Sequence, residues 1–173
     1  MNLEGYIACI CEGAAEKAVM DLLLENNKLI FRQDELLDEE IIECRSGSRF
    51  EQRYLRKGFN KKITILRILD SRRESFKLSK AYIDKIEVIN IITAPEIEML
   101  IIFNENKYDS FKKSRMKPSE YCKVKLKLSK VKSYEFVSNY FSNIDCLCDS
   151  ICKYKQKSKI PKGEYTLFDL VKK

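Results

Sequence analysis

Apolar, β-prone runs that alternate with helical periodicity constrain this chain most. Residues 3–11 (LEGYIACIC) run straight into EGAAEKAVMDLLLENN, where Ala15, Val19, Leu22 and Leu23 share one helical face. Residues 62–69 (KITILRIL) and 87–93 (EVINIIT) are two further strands. A short strand is expected over 40–44, followed by a Ser46-Gly47-Ser48 turn and a helix over 49–57 that Gly58 and Asn60 end. A polar, basic loop (SRRESFKLS) and a short helix over 80–85 come next. Pro95 then opens a helix at a position where its missing N–H costs nothing. Strands alternating with helices imply an α/β fold, a mainly parallel sheet flanked by helices.

The last third reads differently. From 110 to 128 the chain is basic, and Lys123, Lys125 and Lys127 alternate with Val124, Leu126 and Leu128. That pattern suits a strand or extended segment, and a helix remains open. Residues 132–157 read as one long helix, with Phe136, Val137, Tyr140, Phe141, Ile144, Leu147, Cys148 and Ile151 at helical spacing. The expected organisation is an α/β core over 1–106 and a basic, largely helical extension over 107–173, packed on the core.

The charge split sharpens this division. Residues 1–106 carry 16 basic and 19 acidic side chains, net −3, whereas 107–173 carry 17 and 7, net +10. A basic third suggests a polyanion partner, nucleic acid most simply, although a Lys-rich solvated surface gives the same count. No apolar run reaches the roughly 18 residues of a membrane span. The opening MNLEG lacks the basic start of a signal peptide, so a soluble cytoplasmic protein is expected.

The sequence has no histidine, which excludes Ser-His-Asp and Cys-His catalysis and His-ligated metals. Of seven cysteines, Cys9 and Cys11 sit in an apolar run, and Cys146, Cys148 and Cys152 form C-x-C-x3-C with no obvious fourth ligand. Reduced structural thiols are the expectation.

Sites in open parallel sheets form beyond the C-terminal ends of the strands. Glu12 follows the first strand, Asp70 follows KITILRIL, and Glu98 lies one turn into the helix after the fourth strand. Glu16 is one turn beyond Glu12. Hard divalent cations need one or two carboxylates plus phosphate oxygens, so Glu12, Asp70 and Glu98 are candidate catalytic and metal-binding residues for Mg²⁺ or Mn²⁺. Acids at helix N-termini also complement the helix dipole without any ligand, and for Glu16 alone that suffices. Arg72, Arg73 and Lys77 beside Asp70, with Lys123, Lys125 and Lys127, are candidate nucleic-acid contacts.

Three segments in order carry a family resemblance. YIACICEGAAEKAV resembles the strand-E-G-x-x-E-helix opening of Toprim domains, the topoisomerase–primase type of catalytic domain also found in OLD-type nucleases. ITILRILDSRRE stands where those domains place an apolar strand ending in D-x-D. ITAPEIEMLIIFNEN is similar to the helix that RloB-like members place after the fourth strand, with Pro95, Ile97 and Glu98 on their Pro, Phe and Glu. The resemblance spans about residues 3–106. It implies a metal-dependent nuclease acting on DNA or RNA, with Glu12 as acid/base, Asp70 as metal ligand and Glu98 in support. It also implies a bacterial phage-defence setting and a partner chain such as an ATPase. The sequence departs at Asp70-Ser71-Arg72, where Arg72 replaces the second acid. That exchange favours a one-metal site, or a non-catalytic Toprim-like module that binds nucleic acid or a partner protein.

Overall fold

The computed structural model describes residues 3, 5–56, 62–93 and 96–172. Four strands form one parallel sheet: β1 (Tyr6–Cys11), β2 (Ile42–Glu43), β3 (Ile63–Leu69) and β4 (Ile86–Ile92), in the order β2-β1-β3-β4. Seven α-helices accompany them among the described residues: α1 (Ala14–Glu25), α2 (Gly47–Phe50), α3 (Glu96–Asn104), α4 (Tyr108–Ser114), α5 (Pro118–Val124), α6 (Tyr134–Tyr140) and α7 (Ile144–Lys157). The α/β expectation and the parallel sheet are therefore correct.

Strand parity divides the core in two. Cys9, Cys11, Leu66, Ile68 and Ile91 face a large apolar cluster with α1, α3, α6 and α7. Ala8, Ile10, Ile63, Ile65 and Ile86 face a smaller one with Phe50, Tyr54 and Leu55. Every residue of β3 is buried, as expected of a central parallel strand covered on both faces. The large cluster runs without a break from the sheet into Val137, Phe141, Leu147, Ile151 and Tyr154, so the last third packs on the core. The tail also returns to the edge of the sheet, where Tyr165 bridges Ile91 in parallel and its carbonyl accepts from Ile92 N–H at 2.9 Å.

Several element expectations need correction. β2 spans two residues, not five. The helix expected over 49–57 begins two residues earlier as α2 and widens into a π-helical turn over Glu51–Leu55; its expected end at Gly58 and Asn60, like Pro95 as a helix start, lies outside the described residues. Residues 80–85 make hydrogen-bonded turns in place of a helix. The helix expected over 132–157 is two, α6 and α7, because Asn143 caps a new start by accepting from Asp145 N–H at 3.0 Å. Lys123 and Val124 end α5, and Lys127 turns the chain at φ 57°, so the alternating lysines form no strand.

Candidate functional site at the carboxyl edge of the sheet

The connections after β1, β3 and β4 bring acidic side chains to one edge. Glu12 leaves β1 with the parity of Ala8 and Ile10, so it belongs to the face with the smaller cluster. Arg67 in β3 has the same parity, and its guanidinium donates from Nη2 to Glu12 Oε1. Both side chains are almost fully buried, Arg67 at 2% exposure and Glu12 at 5%. Arg67 also lies 4.8 Å over the Phe76 ring, while its Nε has no hydrogen-bond partner among the described residues. Burial pushes the Glu12 carboxyl above the ordinary carboxylate range; Arg67 draws it back only in part, and Glu74 and Asp70 push it further up.

The other three acids gather on the opposite side around one amine. Lys132 Nζ lies 3.4 Å from Glu98 Oε1 and 3.8 Å from Asp70 Oδ2. Glu98 is buried in the first turn of α3, whereas Asp70 is exposed. Glu16 is buried, and its carboxyl occupies the space that a side chain at Gly13 would need. The glycine of E-G-x-x-E thus makes room for the second acid. Burial raises the Glu16 pKa; its own backbone N–H lowers it, Asp70 and Glu98 raise it, and Lys132 lowers it.

These side chains, as arranged, do not fit the expected three-acid metal centre. Glu12 is committed to Arg67, and Asp70 and Glu98 share an ammonium that already supplies positive charge. Among the described residues no group of three or more carboxylate or thiol side chains is placed to hold an ion. Glu16, Asp70 and Glu98 converge on one lysine, whose single charge offsets them only in part.

The basic candidates separate. Both oxygens of Glu164 accept from Arg72, at 2.8 and 2.9 Å, so that guanidinium braces the tail. Arg73 and Lys77 are exposed beside the edge, and Lys123, Lys125 and Lys127 are exposed on and after α5. The Cys122 thiol of α5 reaches the Glu98 carbonyl at 3.7 Å, which places the basic segment against the first turns of α3. Cys122 is fully buried, and burial pushes its thiol up to about 12, so it is inert.

Sequence reasoning missed Arg67 and Lys132. Arg67 carried a signal, since it is the one charged residue within ITILRIL and a buried strand demands a partner for it. Lys132 carried none, being one of many lysines.

No family model matches the sequence, and no curated protein or solved structure shows a significant match to it.

Proposed function

We propose that this chain is a Toprim-like module that binds nucleic acid and whose strand-end acids are engaged by its own Arg67 and Lys132. One observation carries the nucleic-acid part: no basic side chain from Lys107 through Lys130 forms an ion pair with a described residue, and all of them are exposed. Uncompensated positive charge on one continuous stretch favours a polyanion, because neutralising phosphates releases their condensed counterions. Arg67 on Glu12 and Lys132 between Asp70 and Glu98 support the non-catalytic part.

The test is the salt dependence of binding to a labelled duplex. Neutralising Lys123, Lys125 and Lys127 together should weaken binding and flatten log K against log[salt] by about 0.9 per lost phosphate contact. An unchanged slope would make these lysines a solvated face.

A second reading is the Mg²⁺- or Mn²⁺-dependent nuclease of DNA or RNA. It is favoured by the gathering of Glu16, Asp70 and Glu98 at the strand ends, where the resemblance places a catalytic edge. Cleavage of plasmid, single-stranded DNA or tRNA in either ion, abolished by Glu98→Gln, would establish it over the first.

A further inference from the structure

On the face of the sheet opposite Lys132, a cleft of about 380 Å³ opens between the end of β2 and α2. Three arginines line it. Arg45 follows β2, and Arg49 and Arg53 stand one helical turn apart on the segment formed by α2 and its π-helical continuation. Arg45 is braced by donating from Nε to the Glu12 carbonyl at 2.8 Å, which uses one of its five donors. The Arg53 guanidinium lies 5.1 Å from the centre of the Tyr54 ring, whose side chain is buried against the core. None of the three forms an ion pair with a described residue. Of the two carboxylates that line the cleft among the described residues, Glu12 is balanced by Arg67, which leaves Glu43 to offset three guanidiniums.

We infer that this cleft binds a phosphate monoester, the terminal phosphate of a nucleic-acid strand or of a free nucleotide. Three fixed positive charges against one carboxylate leave a surplus of two, which matches a dianionic monoester better than a monoanionic diester. Guanidinium forks bind phosphate oxygens bidentately and stay charged at any working pH. The volume accommodates one nucleotide. Occupied by a strand terminus, the cleft deepens the nucleic-acid proposal and rests on it; occupied by a free nucleotide, it does not.

The experiment measures two things. Fluorescence anisotropy compares one oligonucleotide with a 5′-phosphate, a 3′-phosphate or neither. Melting temperature is read with adenosine monophosphate and with adenosine. Wild type is compared with Arg49→Ala/Arg53→Ala, both exposed positions, and with Arg49→Lys/Arg53→Lys, which keeps charge and loses the fork. A phosphorylated end should bind at least about tenfold tighter than a hydroxyl end, at about tenfold per guanidinium contact. The alanine pair should lose that preference, and the lysine pair should keep part of it. Should no strand bind while the monophosphate alone raises the wild-type melting temperature, and not that of the alanine pair, the cleft stands as a nucleotide site and the nucleic-acid proposal falls. Should strands bind without regard to end phosphate and the monophosphate have no effect, the cleft proposal falls and the nucleic-acid proposal stands. Equal responses from wild type and the alanine pair also overturn it.

Discussion

At Glu12 and Arg67, two charges leave water together, and neither tolerates losing the other. Removing one partner of a buried pair leaves an uncompensated charge, at a cost of about 3–5 kcal/mol. Glu12→Ala should therefore lower unfolding free energy by that amount in urea titration. Lys132→Ala should cost less than about 1 kcal/mol, because the Lys132 ammonium is more than half exposed and solvent screens its pairs. Equal effects would mean that Arg67 finds another partner. Glu16 adds a pH signature. Its folded pKa is raised above the ordinary 4.5, so between 4.5 and the raised value the folded state holds more proton than the unfolded. Stability falls as pH rises through that window, and the loss is complete above it. Glu16→Gln should flatten this descent and leave the protein at least as stable at neutral pH, as melting temperature against pH would reveal. A steeper descent in the variant would contradict the assignment.

The chain breaks at Asn143, not at a residue of obvious breaking character. Apolar spacing continues through Phe141 and Ile144, and Phe141 is fully buried, so the pattern reads as one helix across the gap. α6 ends at Tyr140 and a side-chain hydrogen bond from Asp145 N–H to Asn143 starts α7, and caps are weak signals beside hydrophobic periodicity. Asn143→Ala should cost about 1 kcal/mol by thermal denaturation, and Asn143→Asp should keep most of it; an Ala variant as stable as wild type would show that packing alone sets the break. Arg72 belongs to the same scale, since it ties the loop after β3 to the tail through Glu164. The Arg72 side chain is half exposed, so Arg72→Ala should cost less than about 1 kcal/mol and leave duplex affinity unchanged; a several-fold loss of affinity would return Arg72 to the nucleic-acid contacts.

The long strands β1, β3 and β4 were legible because each needed a near-continuous apolar run. The lysines at 123, 125 and 127 misled because alternation counts only where backbone is extended, and there α5 ends and the chain turns at positive φ. Glu12, Asp70 and Glu98 were legible as strand-end acids. Their partners were not, because Arg67 and Lys132 reach them only through pairing of β1 with β3 and through the packing of the last third.

Across the whole molecule, charge is sorted by location. At the edge of the sheet Glu12, Asp70 and Glu98 pair with Arg67 and Lys132, while exposed lysines and arginines over 107–130 and the three arginines beside β2 form no ion pair with a described residue. α5 joins the two regions by packing on the first turns of α3. On the proposed function, the cationic side chains would meet phosphate directly and binding would need no metal bridge. The decisive measurement is anisotropy of a labelled oligonucleotide in EDTA and in millimolar Mg²⁺ or Mn²⁺ at constant ionic strength, with the same samples run on a denaturing gel. Equal affinity in both, a linear fall of log K with log[salt] and an intact strand are expected. A strand cut only with the divalent ion and spared by Glu98→Gln, or no binding in either condition, would contradict a non-catalytic nucleic-acid-binding module.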